Sequence, residues 1–128
     1  MPVSVTFDGR ILWGVLAGAL TVEELDRFIM SVEELEAAAQ VWPDRITDLT
    51  AVDRIDIGYD EISRLVQRRR ETAVPNPIRN AMVVRDPVQL GYARMYQTLS
   101  DNPRITVRVF PDVEQALAWL AEEAGPAE

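Results

Sequence analysis

The first twenty residues alternate apolar and polar positions and then become continuously apolar. Val3, Val5 and Phe7 occupy every second position, Asp8 begins a turn signal, and residues 11–17 form an apolar run. Alternation is typical of a half-buried strand, and a short apolar run is typical of a strand covered on both faces. The pattern therefore predicts a β-hairpin at the start of the chain.

After the hairpin, helical periodicity alternates with short apolar strands. Thr21 with Glu24 and Asp112 with Gln115 form capping boxes, which mark the first turns of two helices. A second cap pattern at Ser31 leaves open a kink within the first helix. The predicted helices span residues 21–39, 58–70, 87–100 and 112–123, and the predicted later strands span 45–52, 80–84 and 105–110.

These elements define a fold class. Strands that alternate with helices pair in parallel through right-handed crossovers, and the hairpin adds an antiparallel strand. The sequence thus predicts an α/β fold with a mixed, mainly parallel five-stranded sheet, in the order β-β-α-β-α-β-α-β-α. The length of 128 residues fits one domain, expected over residues 1–124, with 125–128 as a flexible tail after the last helix.

The same periodicity assigns side chains to core and surface. Phe28 belongs to the apolar stripe of the first helix, and the carboxylates of that helix are expected on a solvated face. A cluster of arginines at the end of the second helix is expected to complement the helix dipole. The carboxylates are Glu23, Glu24, Asp26, Glu33, Glu34 and Glu36, the cations are Arg64, Arg68, Arg69 and Arg70, and the expected packing residues near the C-terminus are Phe110, Leu117, Trp119 and Leu120.

Composition narrows the chemistry further. The chain contains no Cys and no His, and all 13 of its cationic residues are arginine. Thiol nucleophiles, imidazole bases, zinc sites, disulfides and lysine Schiff bases are therefore unavailable to it. No GxSxG or GxGxxG motif organises the remaining Asp, Glu, Tyr and hydroxyl side chains. We expect no catalytic residue, no cofactor and no metal site.

Charge and hydropathy bear on partners and location. A net charge of −8 repels nucleic-acid phosphates, so no nucleic-acid partner is expected. The apolar run at residues 11–20 is shorter than the ~20 residues of a membrane helix. Asp8 precedes that run, whereas a signal peptide has a cationic start. We therefore expect a cytoplasmic protein without stable membrane insertion.

The C-terminal half of the chain carries a family resemblance. It contains the strand NAMVV, the helix GYARMYQTLSD and the succession ITVRVFPDVEQALAWL at residues 105–120, where a strand ending in Phe precedes a capped helix ending in Ala-Trp-Leu. These segments resemble the STAS domain of bacterial anti-anti-sigma factors. More narrowly, they resemble the SpoIIAA-like family of small uncharacterised bacterial proteins. The resemblance covers residues 45–120 and implies the same α/β fold.

The resemblance also bears on a regulatory switch. In anti-anti-sigma factors, the turn after the third strand carries Asp-Ser-Ser-Gly, and a serine there is phosphorylated. Asp56 matches the family aspartate, whereas Ile57 and Gly58 occupy the two serine positions. Thr50 and Tyr59 supply nearby hydroxyls but do not match the motif. The resemblance therefore implies the fold without its serine switch.

The sequence places a candidate site at one edge of the sheet. Parallel sheets bind ligands beyond the carboxyl ends of their strands, so the loop after the third strand, the segment after the fourth and the approach to Asp112 should lie together. We hypothesise that this edge recognises a partner or polar ligand, with Gly58 permitting close backbone approach. The alternative is a set of caps and surface ion pairs, with Asp56 as a cap rather than part of a calcium site. The candidate residues are Asp53, Arg54, Asp56, Gly58, Tyr59 and Arg85.

Two hypotheses about function stay open. The first is a non-enzymatic regulatory or protein-interaction domain of STAS type, whose partner is an unknown protein or a second copy of the chain. The second is a module for a lipid or other small apolar molecule, similar to CRAL-TRIO carriers, with a pocket in the helix layer that contains Phe28, Met30, Met95 and Tyr96. An enzyme using carboxylates and tyrosine is disfavoured, because it would need a desolvated pocket with a strongly shifted carboxyl pKa.

Overall fold

The predicted alternation of strands and helices is confirmed. The computed structural model describes residues 3–70, 73–100 and 102–122. The predicted tail at 125–128 and the predicted helix end at Glu123 lie outside the described residues. In chain order the elements are β1 (Val3–Phe7), β2 (Ile11–Leu20), α1 (Val22–Ala37), β3 (Asp44–Ile55), α2 (Tyr59–Arg70), β4 (Ile78–Val83), α3 (Pro87–Leu99), β5 (Ile105–Phe110) and α4 (Val113–Ala121).

The strands form a mixed sheet in sequence order. The order is β1-β2-β3-β4-β5, with β1 antiparallel to β2 and the other three neighbouring pairs parallel. Each parallel connection passes through a helix, because the chain must cross the length of the sheet before the next strand begins. The carboxyl ends of β2 to β5 therefore meet at one edge, as predicted.

The hairpin turn between β1 and β2 is held by Asp8. Its carboxylate accepts hydrogen bonds from the amides of Arg10 and Ile11, both at 2.8 Å, and from the Trp13 indole at 2.9 Å. Hydrogen bonds from the Ile11 amide, the Trp13 indole and the Arg10 amide hold the pKa of Asp8 below its usual value. Gly9 follows with φ of 96°, a conformation that glycine adopts without strain.

The helices form two unequal layers. Helices α1, α2 and α3 pack on one face of the sheet, and α4 packs on the other. Side chains alternate along β3, so Ile46 faces α4 while Arg45 and Thr47 face the three-helix layer. The larger hydrophobic core lies under the three helices, and it is interrupted there by polar residues.

Helix caps follow the sequence prediction in part. Thr21 accepts a hydrogen bond from the Glu24 amide at 3.2 Å, but the Glu24 carboxylate pairs with Arg27 instead of reaching back. Helix α1 continues without a break through Ser31, and a kink at that position stays a prediction. Asp112 caps α4 as predicted, and Asp86 caps α3.

The last helix is fastened to the sheet through Trp119. Trp119 is buried as predicted and packs against Phe110 with a ring separation of 5.5 Å. Arg79 on β4 donates to the carbonyls of Trp119 and Leu120 at the end of α4. Leu117 is 37% exposed, so its predicted packing role is wrong. The helix rotates Ala116, Trp119 and Leu120 toward the sheet and turns Leu117 away from it.

Candidate functional site

A cavity of about 70 Å³ lies between the sheet and the three-helix layer. Strands β2, β3 and β4 form its floor, and residues from α1, α2 and α3 form its walls and roof. All but three of the lining side chains are apolar or aromatic. The lining consists of Leu16, Leu20, Leu25, Phe28, Ile29, Arg45, Thr47, Leu49, Ile57, Ile62, Leu65, Asn80, Met82, Tyr92, Ala93 and Tyr96.

The three polar residues of the cavity lie side by side on its floor. Arg45 and Thr47 are successive inward positions of β3, and Asn80 pairs with Arg45 in the register of β4. The Thr47 hydroxyl donates to the Asn80 side-chain oxygen at 2.9 Å. All three residues are buried. The floor therefore combines one cation and a hydrogen-bonded polar pair within an apolar enclosure.

A buried ion pair lies beside Arg45. Arg69 on α2 donates to both carboxylate oxygens of Glu36 on α1, each at 2.8 Å. Both side chains are 5% exposed or less. The expectation that Glu36 lies on a solvated face is wrong, because α2 packs against that side of α1. The expectation that Arg69 serves the helix end is wrong for the same reason.

The neighbouring charges of the cluster are partly exposed. Arg68 pairs with Glu33, and the distance from Arg68 Nε to Glu33 Oε2 is 3.2 Å. Arg69 also lies 3.7 Å from Glu33, whose side chain is 28% exposed. The side chain of Arg70, the remaining member of the predicted basic cluster, lies outside the described part of the chain. The arginines at the end of α2 therefore join α2 to α1 by ion pairs.

Arg45 differs from Arg69 in having no good partner. Its Nη1 lies 3.7 Å from Glu36, beyond hydrogen-bond distance, and its buried Nε has no hydrogen-bond partner in the described chain. Burial lowers the pKa of Arg45, and the charge of Arg69 adds to this effect. Although burial opposes it, the hydrogen-bonded Glu36 carboxylate raises the pKa of Arg69.

A groove of about 170 Å³ lies between α1 and α2, next to the cavity. The groove and the cavity share Leu25, Ile29 and Leu65 as lining residues. These three apolar side chains form the common wall between the two spaces. Exposed charges rim the outer side of the groove, including Asp26 and Arg64.

The predicted sheet-edge residues occupy the end of β3 and the start of α2. The side chains of Arg54 and Asp56 form an exposed ion pair, with Nε and Oδ2 separated by 2.8 Å. Asp56 thus binds Arg54 instead of capping α2. Asp53 is exposed, and Tyr59 is 57% exposed at the first turn of α2. In the described residues, no group of three or more acidic side chains is placed to hold a metal ion.

Gly58 has an ordinary backbone conformation. Its φ is not positive, and an added Cβ would lie 3.8 Å from Glu61 Oε1, which is normal contact. Its amide donates to Glu61 at 3.0 Å. Nothing in the described chain approaches Gly58 closely, and its contact with a partner stays a prediction.

Arg85 has a structural role at this edge. Its side chain donates to the carbonyls of Thr50 at 2.9 Å and Val52 at 3.1 Å. The buried amide of Gln89 also donates to the Val52 carbonyl, at 3.0 Å. The pairing of β3 with β4 stops at Asp48, so these carbonyls have no strand partner there. Arg85 therefore lies beside the loop, as predicted, but its Nε and Nη2 already bind backbone.

The sheet edge and the cavity meet at Ile57. Ile57 stands at the first of the two serine positions of the family motif, and it is 7% exposed and lines the cavity. The Tyr92 hydroxyl donates to the Ile57 carbonyl at 2.9 Å, which fixes the loop against α3. The loop that the sequence singled out therefore forms one wall of the cavity.

Sequence reasoning missed the polar floor of the cavity. The buried cluster contains Glu36, Arg45, Thr47, Arg69 and Asn80, none of which was predicted as a site residue. A signal was present, because Arg45 and Thr47 alternate with Ile46 in a strand predicted to be interior. Asn80 similarly begins a strand predicted to be apolar. A polar residue at an inward strand position must lie against a core or a cavity.

Met30 was expected in the helix-layer pocket and is 55% exposed on the outer side of α1, so that expectation is wrong. Phe28 and Tyr96 do line the cavity. Phe28 lies directly on the sheet at Gly14, where an added Cβ would come within 2.7 Å of its ring. The small residue in β2 thus permits the aromatic side chain to form a wall.

Comparisons with other proteins place the fold. No protein-family model matches this chain, and no curated protein matches it significantly. Among solved structures, the chain is similar to the crystal structure of an uncharacterized protein of the DUF3478 family with a SpoIIAA-like fold, from Shewanella loihica PV-4. The TM-score is 0.62 at 18% sequence identity, over 92% of this chain and 91% of that chain.

This similarity establishes the fold. The resemblance to SpoIIAA-like proteins is confirmed for the architecture, and it extends well beyond residues 45–120. The chain therefore has a SpoIIAA-like α/β fold, with one polar-floored cavity described under its larger helix layer. None of the described helices is both long and apolar enough to cross a membrane.

Proposed function

We propose that the protein is a non-enzymatic, cytoplasmic binding module that holds a small, mostly apolar molecule between its sheet and helices α1 to α3. The observation that supports this proposal is the cavity of about 70 Å³. Small-molecule sites are concave and mostly apolar, with a few polar groups that fix orientation. An empty cavity of this kind also costs stability, because its lining lacks dispersion partners. A bound molecule would restore those contacts.

Uptake of a neutral apolar probe tests the proposal. Hexan-1-ol is titrated into the full-length protein while the methyl signals of its methionines are followed by NMR. Met82 lines the cavity and Met30 is 55% exposed, so the two methyl groups serve as reporter and internal control. We expect a saturable shift at Met82 and none at Met30.

Filling the cavity should abolish this uptake. Ala93 on α3 is fully buried and lines the cavity, so Ala93→Leu places three more carbon atoms in it. Ala118→Leu on the exposed side of α4 is the matched control. We expect Ala93→Leu to weaken binding at least tenfold and Ala118→Leu to leave it unchanged. Absence of any saturable shift in the wild-type protein would refute the proposed cavity function.

A second candidate function is protein interaction at the sheet edge, with a partner protein or a second copy of the chain. Tyr59 is 57% exposed and Val88 is 63% exposed, and they lie in the first turns of the helices that follow β3 and β4. Exposed aromatic residues are enriched in interfaces. The exposed Arg54–Asp56 pair lies beside them. Ile57 and Gly58 carry no hydroxyl, so the proposed interaction has no serine switch there.

Native mass spectrometry of the endogenously expressed protein tests this second function. A complex that forms with the wild-type chain should be lost with Arg54→Glu and with Tyr59→Ser. Val41→Ser is the matched control, because Val41 is 73% exposed before β3 begins, away from this edge. A protein that stays monomeric and unaccompanied, or a complex insensitive to both edge variants, would count against the interaction.

A further inference from the structure

The cavity contains a cation whose nearest described carboxylate lies 3.7 Å away, beyond hydrogen-bond distance. Arg45 lies in β3, between Leu12 of β2 and Asn80 of β4, and is 4% exposed. Its side chain lines the cavity, and its Nε has no hydrogen-bond partner among the described residues. An arginine stays protonated at physiological pH, so its donors need acceptors even when buried. Leaving a buried donor unpaired is costly.

The nearest carboxylate is already used. Glu36 gives both of its oxygens to Arg69 at 2.8 Å, which is the geometry of a complete two-bond arginine pair. Its distance of 3.7 Å from Arg45 leaves attraction without a hydrogen bond. The buried cluster therefore contains two guanidinium groups and one carboxylate, with one positive charge in excess. An anion with one negative charge would balance it.

We propose that Arg45 binds the carboxylate of a short apolar monocarboxylate, whose hydrocarbon part occupies the rest of the cavity. This inference rests on the proposed cavity function and names the class of ligand. The Asn80 amide lies beside Arg45, and its nitrogen makes no hydrogen bond within the described chain, so it is a second donor for the same carboxylate. The remaining walls, including Leu16, Phe28 and Met82, are apolar.

The size of the cavity limits the ligand. A buried water needs roughly 10 to 15 Å³ of such space, so a cavity of about 70 Å³ accommodates on the order of five to seven atoms of that size. A chain of about three to five carbons, carboxylate included, fits this limit once its two oxygens are counted. The excess of one charge favours a monoanion over a dianion, because a second negative charge would be buried without a partner.

Head-group exchange tests the inference on the full-length protein. Butanoate and pentanoate are compared with butan-1-ol and pentan-1-ol, and binding is followed through the Met82 methyl signal and by calorimetry. We expect each carboxylate to bind roughly ten to a hundred times more tightly than the alcohol of equal length. Hydrogen bonds between charged groups are stronger than those between neutral groups, and the difference in free energy corresponds to about this ratio of affinities. This comparison needs no variant.

Arg45→Met is the corresponding variant, because it removes the charge and keeps an unbranched side chain. We expect it to lose the preference for carboxylates while retaining the alcohols. Arg94→Met, at an exposed position of α3, is the matched control and should bind as the wild type does. Equal binding of acid and alcohol by the wild type, or an undiminished acid preference in Arg45→Met, would overturn the carboxylate site and leave the cavity function intact. If neither acid nor alcohol enters, both proposals fail.

Discussion

Two arginine–carboxylate pairs in this protein have the same N–O distance, but one pair is buried and the other is exposed. Arg69 and Glu36 approach to 2.8 Å with side chains 5% and 4% exposed. Arg54 and Asp56 also approach to 2.8 Å, but their side chains are 69% and 42% exposed. Water screens the surface pair and competes for its hydrogen bonds, whereas the buried pair has lost its water. Although the two distances are equal, removing one partner should therefore lower stability much more in the buried pair than in the exposed pair.

The buried region also has an imbalance that the surface pair lacks. Arg45 adds a second cation beside Glu36 without a hydrogen bond to it. At the sheet edge, water hydrates an unpaired charge, so that charge has little effect on the free energy of unfolding. Under the helix layer, an unpaired charge attracts a ligand of opposite charge, but it also lowers the free energy of unfolding. Substitutions in the two regions should separate these effects.

The largest effect is expected for Glu36→Gln. This change removes the carboxylate charge that binds Arg69 and lies 3.7 Å from Arg45, and removing one partner of a buried pair costs about 3–5 kcal/mol. Urea denaturation measures the free energy of unfolding. Glu34→Gln, at an exposed position of the same helix, is the control and should change it by less than about 0.5 kcal/mol. Equal losses in both variants would show that burial does not distinguish the two carboxylates.

Arg45→Met should raise the free energy of unfolding, whereas Glu36→Gln should lower it. Replacing an uncompensated buried cation by an apolar side chain leaves Glu36 and Arg69 as a balanced pair. We expect the free energy of unfolding to rise by about 1–3 kcal/mol, the cost of one buried donor without a hydrogen-bond partner. Arg94→Met controls for the loss of one positive charge. A large loss of stability in Arg45→Met would contradict the view of Arg45 as an unpaired cation.

A small effect is expected at the surface pair. Asp56→Asn should lower the free energy of unfolding by about 0.2–1 kcal/mol, because exposed pairs contribute little. The difference from wild type should shrink as salt is raised, since ions screen exposed charges. Denaturation at low and high ionic strength provides the measurement. A salt-independent loss of several kcal/mol would place Asp56 in the class of Glu36.

Asp8 is a second exposed carboxylate that can be compared with Asp56. Its partners are fixed N–H groups instead of a mobile arginine. Its pKa is lower in the folded chain than the usual 3.8, so its contribution to stability is present at neutral pH. That contribution is lost as the pH falls through the folded-state pKa. An NMR titration should find the Asp8 pKa below 3.8, and Trp13→Phe should raise it by removing one donor. An unchanged pKa in Trp13→Phe would exclude the indole hydrogen bond as a cause.

Local patterns predicted the elements well and the helix surfaces poorly. The hairpin, the capped starts at Thr21 and Asp112, and the strand from Ile105 to Phe110 agree with the structure. Each depends on residues within a few positions of one another. Glu36 was misplaced because periodicity within α1 cannot show that α2 covers its side. Leu117 was assigned to packing by its helical spacing and Met30 to a pocket in the helix layer, but both side chains are exposed.

The sheet edge and the cavity differ in the same respect. The segment from Asp53 to Tyr59 was proposed as a site from sequence because strand ends and turns are local features. The cavity was not found, because its floor joins Arg45 to Asn80 and its walls come from four other elements and a loop. The inward alternation of Arg45 and Thr47 was the available signal. It showed that polar groups face inward without showing what they face.

The amino-acid sequence alone was enough to predict the order of strands and helices, the caps at Thr21 and Asp112, the absence of His, Cys and Lys chemistry, and the lack of a hydroxyl at Ile57 and Gly58. Those properties depend on residue identity and on spacing along the chain. Which charges are paired depended on how the helices and strands pack together. The free energy of a charge depends on its distance from water and from other charges, and both distances were set when α1 and α2 packed over β3.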